Sequence, residues 1–138
     1  MDGMDGEVKT IAKTRGLNGI GSWDEHHSAR VITAVSGHNL KAWDIRENKL
    51  VWELNESNNI RDIDFNPNKQ NQIALGCEDG GVKFYDTRNL RKPIKKLVNI
   101  HTHWIWSVKY NPIHDQLFLS AGGDGRVFLH SITSVRFG

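Results

Sequence analysis

The 138-residue sequence is poor in cysteine, in net charge and in long apolar runs. Its one cysteine, Cys77, cannot form a disulfide within the chain, and its place after Leu75 on a predicted strand indicates a buried thiol in a reducing compartment. A net charge of +2 gives no general electrostatic basis for binding nucleic acid. No apolar run approaches the length of a membrane span, and the N-terminus has no recognisable secretory signal. We therefore expect a chain that neither binds nucleic acid nor inserts directly into membranes.

What the sequence has instead is a repeated pattern of short strands. Hydrophobic residues make up 38% of the chain and charged residues 25%, which favours a soluble globular protein over a disordered one. The stretch 60–88 contains three short runs in which apolar residues alternate with polar ones, and turn residues separate these runs at 66–68 and 79–80. Alternation with a period of two, bounded by Asn, Pro, Asp and Gly, predicts β-strands joined by tight turns.

The same pattern recurs in constant register on both sides of residues 60–88. Trp23 precedes Phe65 by 42 residues, and Tyr110 follows Phe65 by 45. Other positions repeat with the same two steps. They are the third-strand series Trp43, Tyr85 and His130, the second-strand series Thr33, Leu75 and Ser120, and the turn series Gly37, Asp79 and Asp124. Fixed spacing within each copy and variable connections between copies indicate stacked structural repeats.

The period, in the low to middle forties, matches one class of repeat. Four predicted strands per copy and an aromatic residue followed by Asp are typical of the blade of a WD-repeat propeller. The third copy, with His101, then I-x-x-V-x-Y-x-P and L-F-L-S-A-G-G-D-G-R-V, resembles the WD-repeat consensus. We expect an all-β WD-repeat β-propeller of about three four-stranded blades. Since a propeller closes with about four to eight blades, three make an incomplete one.

The predicted boundaries divide the chain into a tail and three blades. Residues 1–18 are interpreted as an N-terminal tail or the remnant of a preceding blade. The blades are predicted at 19–55, 56–100 and 101–138, with the outer strand of the second at 94–98 and that of the third incomplete. An open stack leaves strand edges and blade faces uncovered. We therefore expect a fragment of a longer propeller, or closure by oligomerisation, with self-association through the open blade edges.

Resemblance to WD repeats implies a buried hydrogen-bonded network of His, Ser or Thr, Trp and Asp within a blade. The third copy has His101, Ser120 and Asp124 at these positions, and His130 stands where Trp is expected. The other two copies match only in part. The first has Thr33 and Trp43, with Gly37 for Asp and Thr14 for His, and the second has Asp79, with Tyr85 for Trp, Leu75 for Ser and Glu56 for His.

His, Ser and Asp also occur together in hydrolytic enzymes, and paired histidines occur in metal sites. A fold-stabilising network is favoured over catalysis, because the sequence indicates neither an oxyanion site nor an ordered catalytic triad. His101 and His103 would share one face of a strand, but a zinc site needs three or four converging ligands and Cys77 is the one cysteine. We expect no enzymatic activity, no metal and no cofactor.

One pair of motifs suggests a binding function. Asp44 and Arg46 end the third strand of the first copy, and Asp86 and Arg88 do so in the second. This pattern resembles the Asp-x-Arg box of WD-repeat substrate receptors for cullin-based ubiquitin ligases. Under that resemblance, the four residues are candidate partner-binding residues. Alternatively, each Asp serves only the turn that follows its strand, as a hydrogen-bond acceptor.

Longer strings narrow the resemblance to one family of WD-repeat proteins. The strings are I-R-D-I-D-F-N-P-N-K-Q, G-G-V-K-F-Y-D-T-R-N, H-W-I-W-S-V-K-Y-N, H-D-Q-L, W-D-E-H-H and the terminal F-G. Over residues 23–138 the chain resembles the WD-repeat proteins that interact with the EARP and GARP tethering complexes. It departs from that family at Tyr85, where Trp is expected, and in lacking the remaining blades.

This resemblance implies a non-enzymatic scaffold for protein–protein interaction. Such a scaffold would recruit the tethering complexes in endosomal recycling and in endosome-to-Golgi retrograde transport. It would be cytoplasmic and peripheral to endosomes and the trans-Golgi network. The alternative is a substrate adaptor of a cullin-based ubiquitin ligase that acts through the Asp-x-Arg boxes.

Overall fold

The computed structural model describes residues 6–8, 10, 19–35 and 37–132, with the backbone alone for residues 31–35. These residues form three antiparallel sheets in which consecutive strands are neighbours. The first sheet contains β1 Gly19–Trp23, β2 Arg30–Val35, β3 Asn39–Asp44 and β4 Lys49–Asn55. The second contains β5 Ile60–Phe65, β6 Gln72–Cys77, β7 Val82–Asp86 and β8 Lys95–Leu97, and the third contains β9 Ile105–Tyr110, β10 Leu117–Gly122 and β11 Val127–Ser131. The prediction of an all-β fold is confirmed.

The second sheet lies between the other two, and its sequence reflects that position. Every residue of β6 is buried, in agreement with its largely apolar run. On β5 the buried apolar side chains are Ile60, Ile63 and Phe65. A register shift between Ile60 and Asp62 inserts one extra residue into β5. This bulge explains why two buried isoleucines on one face are three residues apart instead of two.

The outer strand of the second sheet is shorter than predicted. A strand over 94–98 is expected from the sequence, whereas β8 covers Lys95–Leu97. Asn99 has a positive φ of 56°, so the extended backbone ends before it. The incomplete outer strand predicted for the last blade falls on residues 133–138, outside the described residues, as does most of the predicted tail 1–18.

Two apolar clusters fill the spaces between neighbouring sheets. The cluster between the first and second sheets includes Leu40, Leu54, Ile63, Leu75 and Tyr85. The cluster between the second and third sheets is built around aromatic rings. Phe84, Tyr110 and Phe118 meet edge to face, with ring centroids 5.1, 5.2 and 6.1 Å apart. Because edge-to-face contact is a favoured geometry for aromatic pairs, these rings stabilise the junction beyond simple burial of their area.

The first strand of each sheet, namely β1, β5 and β9, is its inner strand. Hydrogen bonds join the inner strands β5 and β9 across the boundary between the second and third sheets. The carboxylate of Asp62 accepts a hydrogen bond from the backbone N–H of Val108 at 2.8 Å, and that of Asp64 accepts one from Tyr110 at 2.7 Å. Burial raises the pKa of Asp64, and the backbone hydrogen bond from Tyr110 opposes the rise. The two carboxylates satisfy donors on the edge of β9 and so fix the third sheet against the second.

One face of the third sheet is apolar and exposed. In the register of β10 and β11, Leu119 lies opposite Leu129, and Ala121 lies opposite Val127 on the same side. The side chains of Leu119, Leu129 and Val127 are 44%, 69% and 69% exposed. No other sheet within residues 19–35 and 37–132 covers this face. It therefore leaves contiguous apolar surface in contact with water.

We predict that the isolated 138-residue chain self-associates through this apolar face, because covering it removes apolar surface from water. Light scattering should give a mass above that of the monomer. Replacing Leu119 and Leu129 together by Lys should return the mass toward the monomer. Val98→Lys is the control, since Val98 is also exposed but lies beyond the end of β8. A wild-type chain that stays monomeric at all measured concentrations would contradict the prediction.

Candidate functional site

A chain of hydrogen bonds runs through the third sheet and contains three of the residues predicted from the sequence. His101 Nδ1 lies 3.0 and 3.2 Å from the two carboxylate oxygens of Asp124. His101 Nε2 lies 2.8 Å from Ser120 Oγ, and the same Oγ lies 2.8 Å from His130 Nε2. The fold therefore brings His101, Ser120 and Asp124 together. His130 extends the chain from the position where Trp is expected.

The carboxylate sets the direction of the protons along this chain. An ionised carboxylate only accepts hydrogen bonds, so His101 Nδ1 donates to Asp124. When His101 is neutral, its Nε2 is then the acceptor for the hydroxyl of Ser120, and Ser120 Oγ accepts from His130 Nε2. Every hydrogen bond is satisfied with both imidazoles in the neutral form. The pKa of His130 is lowered by burial and by the nearby His101, which favours the neutral form of His130.

Asp124 is held by hydrogen bonds beyond the imidazole. Its carboxylate also accepts from the backbone N–H of Thr102 at 3.0 Å and of Arg126 at 3.1 Å. Burial alone would raise the pKa of Asp124, but the hydrogen bonds from His101, Thr102 and Arg126 outweigh burial and lower the pKa to about 2. The ionised carboxylate thus joins the turn between β10 and β11 to the segment that leads into β9.

Two glycines make room for His101. A Cβ at Gly122 would lie 2.5 Å from His101 Nδ1, so a side chain there would displace the imidazole. Gly80 has a φ of +83°, and a Cβ there would lie 2.2 Å from the carbonyl oxygen of His101. The N–H of His101 donates to the carbonyl of Gly80 at 3.1 Å. His101 is therefore held between the β6–β7 turn of the second sheet and the end of β10 in the third.

Asp124, His101 and Ser120 are the residue types of a catalytic triad, but their surroundings are those of a structural network. His101 and Ser120 are 3% and 0% exposed. A nucleophilic hydroxyl must reach the carbon that it attacks, and Ser120 has no exposed surface from which to do so. Its oxygen is also engaged by an imidazole on each side. What this arrangement can do is satisfy buried polar groups and fix the third sheet internally.

The second sheet contains a different buried cluster, part of which was not predicted from the sequence. Glu56, at the histidine position, is buried, and its carboxylate accepts a short hydrogen bond from the hydroxyl of Tyr85. The other carboxylate oxygen lies 2.5 Å from Lys83 Nζ. Leu75, at the serine position, packs in the apolar core. Burial raises the pKa of Tyr85 well above its usual value, and the hydrogen bond to Glu56 adds to the rise.

Asp79 does not join the cluster around Glu56. Its carboxylate accepts from Asn58 Nδ2 at 3.0 Å and from the backbone N–H of Gly81 at 3.0 Å. Two neighbouring carboxylates would repel each other, which explains why Glu56 pairs with Lys83 and not with the Asp79 turn. A signal for Lys83 was available in the sequence, because a carboxylate at a buried position requires a cation or hydrogen-bond donors.

The predicted network of the first sheet lies partly outside the described residues. Thr33 lies on β2 opposite Lys41 of β3, but its side chain is outside the described part, as is Thr14. Lys41 Nζ lies 5.8 Å from the centroid of the Trp43 ring, which is a cation–π contact. Gly37 stands at the turn position where Asp is expected, so this turn has no carboxylate. Its φ of 81° is a conformation that glycine adopts readily. The second and third blades thus satisfy their equivalent buried positions with different chemistry.

Both Asp-x-Arg boxes form turns directly after the third strand of their sheets. Asp44 Oδ1 accepts from the backbone N–H of Arg46 at 3.0 Å and of Glu47 at 3.1 Å. Asp86 Oδ1 accepts from the backbone N–H of Arg88 at 2.9 Å. The Asp86 carboxylate also binds the Arg88 guanidinium, with Nε 3.1 Å from Oδ1 and Nη2 2.9 Å from Oδ2. In both boxes the Asp acts as a turn acceptor, and in the second it also holds its own Arg.

Hydrogen bonds between turns at one rim of the sheets were not predicted. The turn after each inner strand is capped by a side chain in the repeat register, namely Asp24, Asn66 and Asn111. His26 Nε2 lies 2.7 Å from the carbonyl oxygen of Asn66 in the next sheet. Asn68 Nδ2 in turn donates to the carbonyl oxygen of Ile113 at 3.1 Å. The repeated Asn-Pro pairs at 66–67 and 111–112 were the available signal, since side chains that cap turns recur with the blade.

The two histidines of the metal hypothesis have different surroundings. His101 is buried, whereas His103 is exposed and packs against Trp104 with ring centroids 4.2 Å apart. Among residues 6–8, 10, 19–35 and 37–132, no three His, Cys, Asp or Glu side chains are grouped so that they could hold a metal ion. The same residues include no helix of the length and apolarity needed to span a bilayer.

We predict that Ser120→Ala lowers the free energy of unfolding by about 1–3 kcal/mol, because His101 and His130 would lose a buried hydrogen-bond partner. Denaturant unfolding followed by tryptophan fluorescence measures the loss. Ser107→Ala, on β9 of the same sheet and outside the hydrogen-bond chain, is the matched control. Any binding activity should fall in proportion to the folded fraction. An activity abolished at unchanged stability would instead show a chemical role for Ser120.

We predict that Asp124 makes the fold sensitive to acid. Its pKa is about 2 in the folded chain and 3.8 for an ordinary Asp. The ionised form therefore stabilises the fold above about pH 4, and this contribution is lost as the pH falls toward about 2. Asp124→Asn should lower stability at neutral pH and flatten the acid dependence, measured as the urea midpoint at each pH. Glu25→Gln removes an exposed carboxylate and is the control. An unchanged acid slope in Asp124→Asn would contradict this assignment.

Comparison with known proteins agrees with the blade architecture. Residues 4–130 match the family described as the EIPR1 beta-propeller. The chain is 41% identical over 117 residues to EARP and GARP complex-interacting protein 1 of Rattus norvegicus, a match that covers 83% of this chain and 30% of the relative. It is 35% identical over 116 residues to EARP-interacting protein 1 of Caenorhabditis elegans, covering 83% of this chain and 32% of the relative.

A plant relative extends the similarity. The chain is 30% identical over 109 residues to WD repeat-containing protein DWA2 of Arabidopsis thaliana, covering 79% of this chain and 30% of the relative. The chain thus spans about a third of the length of the curated relatives that it matches. Its three sheets are blades of a β-propeller, as the repeat register predicts, and the chain belongs to the EIPR1 β-propeller family.

Proposed function

We propose that this chain is part of a non-enzymatic WD-repeat scaffold that binds the EARP and GARP tethering complexes. The observation that carries the proposal is 41% identity, over 83% of the chain, to a relative named EARP and GARP complex-interacting protein 1. Relatives from Gekko japonicus and Caenorhabditis elegans also have names that refer to interaction with EARP. The chain spans 30% of the length of the rat relative.

The buried polar groups support a scaffold over an enzyme. The residue set that resembles a catalytic triad is sealed inside the third sheet, with Ser120 fully buried. Glu56 in the second sheet is also buried, and Lys83 neutralises the charge of its carboxylate. Groups in these positions contribute to folding, whereas a catalytic group must reach a substrate. The exposed surface is then left for protein partners.

The proposed role is recruitment of the tethering complexes in endosomal recycling and endosome-to-Golgi retrograde transport. A protein with this role acts in the cytoplasm, at the periphery of endosomes and the trans-Golgi network. Attachment to those membranes would come through the partner complexes, because recruitment by a bound protein requires no membrane-inserted segment in the scaffold. The proposed partners are therefore proteins, and neither nucleic acid nor lipid is assigned a binding site.

The Asp-x-Arg boxes allow the competing function, a substrate adaptor of a cullin-based ubiquitin ligase, to be tested. In the second box the guanidinium of Arg88 is engaged by Asp86 through two hydrogen bonds. A partner carboxylate would compete with Asp86 for this fork, which favours an architectural role. In the first box Arg46 is exposed, and Asp44 binds the turn backbone. The geometry of both boxes thus supports an architectural role.

The proposal is tested by affinity purification and mass spectrometry of the tagged chain within the complete propeller. Subunits of the tethering complexes are the expected partners, and cullin-ligase adaptor subunits in their place would overturn the proposal. Replacing Arg46 and Arg88 together by Ala should leave capture of the tethering subunits within about twofold of wild type, because these side chains serve the blade turns.

The matched control for this pair replaces two other exposed arginines, Arg91 and Arg126, by Ala. Thermal unfolding of both double variants verifies that each is folded. Loss of the tethering subunits in a folded Arg46 and Arg88 variant, with the control unaffected, would place the boxes in the binding surface. Retention of the tethering subunits in both variants agrees with the architectural role.

A further inference from the structure

A cation–π cluster lies on the inner strands of the second and third blades. The guanidinium carbon of Arg61 on β5 lies 4.8 Å from the centroid of the Trp104 ring and 5.2 Å from that of Trp106 on β9. The two indole rings are perpendicular, at 88°, with centroids 5.8 Å apart. Contact with two aromatic rings holds a guanidinium in one orientation. Arg61 is therefore a preorganised cation at the junction of two blades.

The repeat register explains how this cluster forms. Arg61 stands 42 residues after Gly19 and 45 residues before Trp106, so the three occupy one position in successive blades. Equivalent positions on inner strands lie side by side, and all three line one cavity of about 180 Å³. Gly19 leaves this space open, whereas Arg61 and Trp106 form its charged and aromatic walls. The blade fold itself requires none of these residue types.

Part of the hydrogen-bonding capacity of Arg61 is unused. A guanidinium carries five N–H donors in a planar fork. Within the described chain, the hydrogen bond of Arg61 goes from Nη1 to Glu78 Oε1 at 3.3 Å. Asn59 Nδ2 donates to the other oxygen of Glu78 at 2.9 Å and holds that carboxylate in place. Glu78, which also borders the cavity, binds one nitrogen of Arg61, whereas Asp86 binds both Nε and Nη2 of Arg88. Glu78 thus orients the Arg61 guanidinium and leaves further N–H donors for a ligand.

A second donor without a partner lies in the same cluster. The indole Nε1 of Trp104, which packs on Arg61, is buried and has no hydrogen-bond partner among the described residues. The Trp106 side chain is 56% exposed and borders the cavity. Exposed Trp and ordered Arg are the residue types that contribute most to protein–protein binding. In the cavity itself Arg61 offers N–H donors and Trp106 an aromatic surface, so the ligand should supply acceptors and an apolar group.

We infer that this cavity binds a carboxylate-bearing side chain of an extended protein segment. The carboxylate would take the free edge of the Arg61 fork, and an adjacent apolar side chain would lie on Trp106. The cavity has a volume of about 180 Å³. Small-molecule pockets usually measure about 300–1,000 Å³, so this cavity fits one side chain of a partner better than a free cofactor. The inference rests on the proposed scaffold function, since it names a surface through which such a scaffold would bind.

The test uses two libraries of short peptides with blocked ends, which differ only in a central Glu or Gln followed by Leu or Phe. Binding to the full 138-residue chain is followed through the indole N–H signals of its five tryptophans by NMR. The Glu library should shift the signals of Trp104 and Trp106, and the Gln library should bind at least tenfold more weakly. Equal binding of both libraries would overturn the inference, as would no shift at millimolar peptide.

Substitutions locate the site on the protein. Arg61→Lys keeps the charge but removes the planar fork, so it should weaken binding of the Glu peptides at least tenfold. Arg91→Lys, at an exposed position in the β7–β8 loop, is its matched control. Trp106→Ala should also weaken binding, whereas Trp23→Ala should not, although Trp23 is 62% exposed. Unchanged affinity in Trp106→Ala would overturn the assignment, even if Arg61→Lys failed to fold.

Capture of the tethering complexes by the complete propeller separates this inference from the proposed function. If the tethering subunits are captured and Arg61→Lys reduces their capture, both hold. If they are captured equally by wild type and Arg61→Lys, the function holds and this surface is not the one used for them. If the chain binds Glu peptides but captures no tethering subunit, the site stands and the proposed partners are wrong.

Discussion

The structure depends on one constraint, which is that a four-stranded antiparallel sheet with two apolar faces must be covered on both sides. The second sheet shows the solution, with β6 buried along its whole length between the first and third sheets. Burial of apolar area is the main favourable term in folding, so face-to-face packing of neighbouring blades supplies most of the stabilisation. The third sheet shows the same sequence pattern with one face uncovered, at Leu119 and Leu129.

Because stacking repeats the same geometry, the second and third blades bury polar groups at equivalent points, and these groups must be satisfied there. In the third blade, His101, Ser120 and Asp124 do this through hydrogen bonds between an imidazole, a hydroxyl and an ionised carboxylate. In the second, Glu56 is satisfied by Tyr85 and Lys83. A buried charge without a partner would cost more than either network. The repeat therefore fixes where polar chemistry is needed, while leaving open which residues supply it.

This distinction explains how much of the structure could be predicted from the sequence. The strands and their order follow from period-two patterning and from positions 42 and 45 residues apart, since backbone geometry repeats with the blade. The contact of His130 could not be predicted from a consensus, because His130 replaces its Trp, and the contact of Lys83 follows only once Glu56 is known to be buried. The short β8 and the bulge at Ile60 and Asp62 depend on local backbone conformation, which alternation alone does not encode.

At the position shared by Gly19, Arg61 and Trp106, the residue type can vary between blades, so a binding site can form there. Residues that face a neighbouring blade are limited to shapes that pack, and the buried polar positions are limited to groups that satisfy one another. The position of Gly19, Arg61 and Trp106, near the start of the inner strands, is subject to neither restriction. There a glycine, an arginine and a tryptophan can follow one another from blade to blade without disturbing the stack. Since inner strands are adjacent, this variation along the sequence becomes a site with one open side, one charged wall and one aromatic wall.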